Sequence, residues 1–174
     1  GLQNTGKIVV AGLAYDLSLD GNVILVRYLA DGTLDTTFGN GGITSSDLNG
    51  GPAFQAAWSL GVTADDRLVI VGEESANGLV CARFTEDGSL DPSFGVSGVA
   101  LTGVGFSTGM CLHLNPDGSV FAGGYRLDGD SDWMLARFRP DGVLDPTFGT
   151  GGVATLDLAG GDTEMMRGVS VLAD

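Results

Sequence analysis

The chain has few of the residues on which catalytic and metal sites most often depend. Its 174 residues include one histidine, two cysteines, and eight lysines and arginines against 22 aspartates and glutamates. A metal site with two histidines is therefore excluded, and a Ser-His-Asp set around His113 lacks the nucleophile-elbow motif that would identify it. The net charge of −14 argues against nucleic acid and anionic membrane surfaces as partners, because their phosphates attract lysine and arginine.

Long apolar segments are lacking as well. No hydrophobic run approaches the roughly 20 residues of a transmembrane helix, and the start of the chain lacks the basic, apolar and small-residue pattern of a signal peptide. We therefore expect no membrane insertion. Because the chain starts with Gly1 instead of methionine, we expect that it was processed or cut from a longer protein. The hydrophobic content of 43% with 17% charged residues is typical of a folded domain.

A nine-residue phrase occurs three times in the chain. It reads LDTTFGNGG from Leu34, LDPSFGVSG from Leu90 and LDPTFGTGG from Leu144, and each copy follows an Asp-Gly pair. The spacing defines a repeat unit of about 55 residues, which is too small to bury a core alone and is expected to stack on its neighbours. Because a phosphate loop or a catalytic elbow is needed only once, the triplication favours a structural role.

Short apolar and β-branched runs ended by glycine predict strands throughout, and no segment predicts a helix. Each unit contains four such runs, so the predicted fold is all-β, a β-propeller of four-stranded antiparallel blades with about three blades' worth of strands. A single array spans residues 1–174, with units at about 6–52, 53–104 and 105–158 and a final inner strand at 164–172. The predicted strands cover 7–11, 23–29, 42–47, 57–63, 67–71, 79–85, 98–102, 109–115, 119–122, 133–139, 152–157 and 166–172.

The innermost strand of a blade is identified by an alternation of bulky and small residues. Trp58, Leu60 and Val62 alternate with alanine, serine and glycine, and the small face would admit the neighbouring blade. Three blades are fewer than the four to eight that close a ring. Two chains would form a six-blade ring if each donated its last strand to the other; alternatively, the chain is part of a longer propeller. The sequence leaves both interpretations open.

The succession of GKIVVAG from Gly6, LVRYLADGTLDTTFGNGG from Leu25 and an apolar inner strand resembles the delta-60 repeat family. The resemblance covers essentially the whole chain. It implies a β-propeller-like fold and a location outside the cell or at the cell surface, because members of this family are mostly secreted or cell-surface bacterial proteins. It implies no catalytic residues, since the family supplies none.

The aspartate and phenylalanine of the LD-x-x-FG phrase are expected to build a turn. Each aspartate should bond backbone N–H groups of its own turn, as in an Asx turn, while each phenylalanine closes the blade edge. The alternative is metal or ligand contact by the aspartates. The residues concerned are Asp35, Asp91, Asp145, Phe38, Phe94 and Phe148.

An acidic loop carries a candidate calcium site. Asp128, Asp130 and Asp132 stand at alternate positions, where every second side chain can converge on one hard cation. Trp133 replaces the glycine that an EF-hand loop requires, so an EF-hand is excluded. The competing interpretation is a solvated hairpin turn.

Ligand binding is expected on loops that differ among the units, because variable loops carry specificity. Tyr15, Tyr125 and Trp133 are the aromatic candidates for carbohydrate contact, and His113 on an inner strand would face the channel. Packing roles for all four residues are the alternative.

These observations favour a non-enzymatic extracellular module that serves as a scaffold or as a binding platform for protein or carbohydrate. Two alternatives stay open, namely a glycan-active propeller enzyme that uses its central channel and a subunit that assembles into fibres by strand exchange. No cofactor is expected apart from calcium. Cys81 replaces a leucine of the other units and Cys111 lies on an inner strand, and the sequence leaves open whether the two thiols are free.

Overall fold

The computed structural model describes residues 1–15, 21–51, 53–158 and 163–172, with Asp130 described by its backbone alone. This part of the chain is all-β, as predicted, and contains eleven strands. It contains no helix long and apolar enough to span a membrane. The strands are β1 (Ile8–Tyr15), β2 (Gly21–Tyr28), β3 (Ile43–Ser46), β4 (Gln55–Val62), β5 (Leu68–Glu74), β6 (Gly78–Phe84), β7 (Val99–Leu101), β8 (Ser107–Leu114), β9 (Val120–Asp128), β10 (Asp130–Phe138) and β11 (Val153–Leu156).

Consecutive strands pair into three antiparallel sheets, and each sheet is one propeller blade. Blade 1 contains β1 to β3, blade 2 contains β4 to β7 and blade 3 contains β8 to β11, with the strand order following the chain. Blade 1 has three strands instead of four, and Leu2 alone bridges to Ile8 on the inner edge of β1 within the described residues. The sheets confirm the prediction of about three blades.

The apolar core lies between the blades, because a single sheet has two faces and no interior of its own. Between blades 1 and 2, Val9 and Leu25 pack with Leu68 and Ile70, and all four are at most 1% exposed. A second cluster fills the space between blades 2 and 3. It includes Val71, Leu79, Cys81, Val120, Ala122 and Met134. Burial of each valine, leucine, isoleucine or methionine among them contributes roughly 1.5–3 kcal/mol, so blade stacking contributes strongly to the stability of the molecule.

The inner strands β4 and β8 each contain a β-bulge, which corrects the predicted alternation. In β4 the register shifts between Ala57 and Ser59, and the extra residue Trp58 is 45% exposed. Ala57 therefore packs in the same apolar cluster as Leu60, whereas the predicted alternation placed the two residues on opposite faces of the strand. The predicted small face exists beyond the bulge, because a Cβ at Gly61 would lie 2.7 Å from Leu114 of blade 3.

The final segment differs from its prediction. The structure assigns no strand to residues 164–172, and Thr163 forms a single parallel bridge with Ser131. Met166 nevertheless lies on blade 3, where a Cβ at Gly123 would come within 2.4 Å of its sulfur. The predicted inner strand is thus an irregular segment packed on blade 3, because no described strand lies alongside it to complete a ladder of hydrogen bonds.

Candidate ligand-binding groove

The loops of the blades gather at two ends, because antiparallel strands alternate in direction. The repeat end carries the β2–β3, β6–β7 and β10–β11 connections with the LD-x-x-FG phrases, together with the β4–β5 and β8–β9 turns. The variable end carries the β5–β6 and β9–β10 turns and the connections from one blade to the next. The candidate residues are distributed between these two surfaces.

At the repeat end the aspartates of the phrase form the expected hydrogen bonds. Asp35 Oδ1 accepts the backbone N–H of Thr37 at 3.1 Å and its hydroxyl at 2.6 Å. Asp91 and Asp145 accept the same pair of bonds from the residue two positions later. Phe38 and Phe94 are fully buried, whereas Phe148 is half-buried.

A recurring arginine, which was not predicted from the sequence, pairs with the aspartate of each phrase. Arg27 Nε lies 2.8 Å from Asp35 Oδ2, and its guanidinium carbon lies 4.6 Å above the centre of the Phe38 ring. Arg83 repeats both contacts in blade 2 with Asp91 and Phe94. In the sequence, an arginine stands eight residues before the aspartate of each phrase, and this constant spacing could have indicated the pairing. The aspartate oxygens of the phrases are thus engaged by protein groups.

A cleft of about 460 Å³ lies at the repeat end between blades 2 and 3. Three of the four charged residues that line it, Asp65, Arg67 and Arg83, are already in ion pairs. Arg67 lies 3.2 Å from both Asp65 and Asp91, and Arg83 lies 2.8 Å from Asp91. A ligand would have to compete with these ion pairs, so we regard this cleft as a weaker candidate than its size suggests.

A smaller groove of about 230 Å³ lies at the variable end between blades 2 and 3. We call it the variable-end groove. Its lining includes Glu73, Phe106, Thr108, Tyr125 and Leu127. It offers aromatic and aliphatic surface beside a carboxylate that accepts a hydrogen bond from a threonine hydroxyl, which is the usual composition of a small-ligand site.

Phe106 is the most unusual residue of this groove. Its side chain is 75% exposed and its backbone has a φ of +49°. A left-handed backbone at a residue other than glycine costs about 1–3 kcal/mol and is concentrated at ligand sites. The conformation is held on both sides, because Leu127 N donates to Phe106 O at 2.8 Å and Ser107 Oγ accepts from Leu79 N at 2.8 Å.

The predicted aromatic residues do not converge on one place. Tyr125 lines the variable-end groove. Tyr15 is 61% exposed and lies 6.4 Å from Phe54, measured between ring centres. Trp133 lines a separate apolar hollow of about 160 Å³ on blade 3. Phe106 was missed, although phenylalanine precedes both complete inner strands, at 54 and 106.

His113 is partly buried and lies opposite Phe121 in the β8–β9 ladder. It occupies the position that Gly61 holds in blade 2, on the face where the next blade packs. The described residues around it provide no second histidine or catalytic partner at hydrogen-bonding distance.

The structure changes the composition of the candidate calcium site. Asp132 lies with Asp157 and Glu164, and ligand oxygens of the three carboxylates are all within 4.8 Å of one another. Asp132 is buried and lies 2.8 Å from Arg126, whereas Glu164 Oε1 is buried with no hydrogen-bond partner among the described residues. An unpartnered buried carboxylate oxygen is consistent with a cation ligand.

Of the other two predicted ligands, Asp128 is not in this group. Asp128 is an exposed residue that pairs with Arg126 at 3.2 Å, and the side chain of Asp130 lies outside the described part. Asp157 and Glu164 could not be predicted from the spacing in one loop, since they reach Asp132 only when the chain folds.

Both cysteines are free and buried. Burial raises the pKa of the Cys81 and Cys111 thiols above their usual value, and the Cys111 thiol donates to Gly123 O at 3.4 Å. Neither thiol has the low pKa of a nucleophile.

Comparison with protein families connects the fold to relatives. A family model described as a domain of unknown function, DUF5122 β-propeller, matches residues 3–38, 63–94 and 115–148. The chain belongs to the DUF5122 β-propeller family. Each matched stretch ends at the phenylalanine of an LD-x-x-FG phrase and contains the two strands that precede the phrase. No curated protein matches the chain.

Proposed function

We propose that this DUF5122 propeller chain is a non-enzymatic, extracellular binding platform whose variable-end groove takes carbohydrate. The observation that carries the proposal is Phe106, an exposed aromatic residue held in a left-handed backbone at the rim of the groove. Strain retained beside an open, partly apolar groove supports binding rather than packing, because packing residues are buried and relaxed.

The chemistry of the groove suits a sugar. Aromatic rings offer flat apolar faces to the C–H groups of a pyranose, and nearby polar groups bind its hydroxyls. Phe106 and Tyr125 supply aromatic surface, while Glu73 and Thr108 supply an acceptor and a hydroxyl. With a net charge of −14, the chain favours neutral or cationic glycans over acidic ones.

The extracellular location rests on the resemblance to the delta-60 repeats, whose members are mostly secreted or displayed at the cell surface. The same location would bring the chain into contact with polysaccharides. Free, buried thiols neither require nor oppose this location.

A glycan-active enzyme is the weaker alternative. It would need two carboxyl groups that face a bound sugar at a defined separation. Of the two glutamates at the groove, Glu74 is 1% exposed and accepts hydrogen bonds from Asn49 and Asn77. Glu73 accepts from the Thr108 hydroxyl and can accept further hydrogen bonds, but with Glu74 buried it has no second carboxyl group beside it to form a catalytic pair.

Affinity gel electrophoresis tests the proposal, with neutral xylan, mixed-linkage β-glucan and galactomannan cast separately into native gels. We expect at least one polysaccharide to retard the chain and Phe106→Asn to abolish the retardation. Asparagine adopts a left-handed backbone readily, so this variant removes the ring without straining the loop.

Trp58→Ala is the matched control, because Trp58 is an exposed aromatic residue outside the groove. It should migrate like the unmodified chain. Absence of retardation in every gel would contradict a neutral glycan as ligand, and equal retardation of the Phe106→Asn variant would move the site away from the groove.

A further inference from the structure

Two junctions at the repeat end show how each blade locks onto the next. From blade 1, Arg27 Nη1 donates to Glu86 O at 2.5 Å and Gly39 N donates to Asp87 O at 3.0 Å. From blade 2, Arg83 Nη1 donates to Pro140 O at 2.7 Å, and Gly95 N donates to Asp141 O at 2.7 Å. The arginine and the phrase of one blade thus bind the Asp-Gly turn of the following blade.

The phenylalanine of the phrase covers that turn. A Cβ at Gly88 would lie 2.6 Å from the Phe38 ring, and a Cβ at Gly142 would lie 2.9 Å from the Phe94 ring. Both glycines are buried. Only a glycine fits under the ring, so the Asp-Gly turn is shaped as a socket for the preceding blade.

The two halves of a third junction lie on different outer blades. Blade 3 carries the donor half with Arg137, Phe148 and Gly149, and blade 1 carries the acceptor half in residues 30–32. The Arg137 side chain is 35% exposed, against 7% for Arg27. Its Nε is buried without a hydrogen-bond partner in the described part of the chain.

The acceptor half is open in the same way. Gly32 is exposed, and no atom lies within 4 Å of the position of a Cβ there. Its φ of +84° is close to the +92° of Gly88, so the socket has its docked shape before anything occupies it.

The sheet faces behind these halves are apolar and uncovered. On blade 1, Ile8 is 39% and Val10 is 51% exposed, whereas their counterparts in blade 2, Leu68 and Ile70, are fully buried by blade 1. On blade 3, the hollow of about 160 Å³ beside Trp133 lies on the face that points away from blade 2. Each uncovered face therefore resembles one side of an interface that exists elsewhere in the chain.

The edge of β1 is incomplete as well. Gly1 and Val9 exchange backbone hydrogen bonds of 2.7 and 2.9 Å, and beyond Val9 no described strand lies on the inner edge of β1. Residues 164–172, by contrast, pack on blade 3 but form no ladder of backbone hydrogen bonds with any described strand. An unpaired edge and an unpaired segment in one chain are complementary.

We propose that a second copy of this chain docks head to tail, with blade 3 of one copy on blade 1 of the other. Arg137 and Gly149 of each copy donate to the carbonyls of Ala30 and Asp31 of the other, Phe148 covers Gly32, and segment 164–172 pairs with the open edge of β1. Two-fold symmetry forms both junctions at once and closes a ring of six blades.

Light scattering of the whole chain across a dilution series tests the pairing. We expect twice the single-chain mass of 17.7 kDa at micromolar concentration, with no larger species. A single-chain mass at every concentration would overturn the proposal and leave these faces to other blades. A mass that grows with concentration would overturn it in favour of open fibres.

Gly32→Asn tests the junction itself. Asparagine tolerates a left-handed backbone and meets nothing within 4 Å in the single chain, but it would collide with Phe148 of a second copy as a Cβ at Gly88 would collide with Phe38. We expect the dimer dissociation constant to rise at least 100-fold, with an unchanged circular dichroism spectrum.

Gly41→Asn is the matched control. Gly41 has a φ of +64° with nothing within 4 Å of its Cβ position, and its counterpart in blade 2 is Ser97 at +53°. This variant should remain a dimer. Equal dimerisation of the Gly32→Asn and Gly41→Asn variants would overturn the docking geometry even if the chain pairs by another surface.

Discussion

The repeat end and the variable end of the propeller use their polar groups differently. At the repeat end, Asp35 has its oxygens engaged by Thr37, Arg27 and Lys7. At the variable end, Glu164 Oε1 is buried without a partner among the described residues, and Phe106 is held exposed in a left-handed backbone. At the repeat end the interactions are satisfied where one blade meets the next, as at Arg27 and Arg83, and unused where no further blade is described, as at Arg137 Nε. At the variable end the unused groups belong to loops that are not repeated.

The difference follows from repetition. A phrase that occurs in every blade brings its own partners, so its hydrogen bonds form wherever the blade forms. Loops at the variable end are not copied. The β5–β6 turn runs from Glu74 to Gly78, whereas Gly129 alone separates β9 from β10, and contacts there depend on one particular pair of blades. New binding properties can therefore arise at the variable end without weakening the framework.

The largest expected contrast between the ends concerns two phenylalanines. Phe94→Ala removes a fully buried ring, and we expect it to lower the free energy of unfolding by about 3–5 kcal/mol. Phe106→Asn, at the variable end, should leave that free energy unchanged or raise it by about 1 kcal/mol, because the ring is exposed and asparagine relieves the left-handed backbone. Urea unfolding curves provide the measurement, and similar losses for both variants would contradict the assignment of structural and functional ends.

The strands themselves were largely predictable from the sequence. Glycine-bounded apolar runs located all eleven, and β2, predicted at 23–29, is observed at 21–28. The bulge at Trp58 was not predictable, because one extra residue changes the ladder without changing the composition of the run. The strand expected at 164–172 failed for another reason, since a strand needs a neighbour and the described residues provide none there.

The site was less predictable than the fold. Repetition marked the arginines at 27, 83 and 137 in the sequence, but their role emerged only from contacts with the aspartates. The acidic group around Asp132 joins residues that are distant in the chain, so no local pattern indicates it. Phe106 could not be identified from the sequence, because its exposure and its left-handed backbone are properties of the folded loop.

Lowering the pH should destabilise the repeat end more than the variable end. Among the described residues, seven of the eight aspartates with a clearly lowered pKa lie there, and at six of these seven the largest cause is a hydroxyl hydrogen bond from a threonine or serine two residues away. At Asp91, burial acts first in the raising direction and is outweighed by hydrogen bonds from Ser93 and Arg83. The seven are Asp31, Asp35, Asp65, Asp87, Asp91, Asp117 and Asp145, and the eighth is Asp47 at the variable end.

Asp35→Asn tests this acid dependence. The Thr37 hydroxyl and Lys7 hold the pKa of Asp35 well below its usual range. A lowered pKa in the folded state stabilises the protein above the unfolded value of about 3.9 and loses that contribution as the pH falls towards the folded value. Thermal unfolding from pH 7 to pH 2 should show the variant less stable at neutral pH, with a gap that narrows progressively as the pH falls below about 4. A gap of constant size would contradict this role.

The smallest expected effect belongs to calcium at the variable end. If Asp132, Asp157 and Glu164 hold the ion, calcium at a few times its dissociation constant should stabilise the fold by about 1 kcal/mol, and EDTA should reverse the rise in melting temperature. Asp157→Asn should abolish the rise, whereas Asp128→Asn, which removes an exposed partner of Arg126, should preserve it. The reverse result would restore the loop of alternate aspartates as the site. No response to calcium in the unmodified chain would leave the buried Glu164 oxygen to be satisfied by water or by a ligand of another kind.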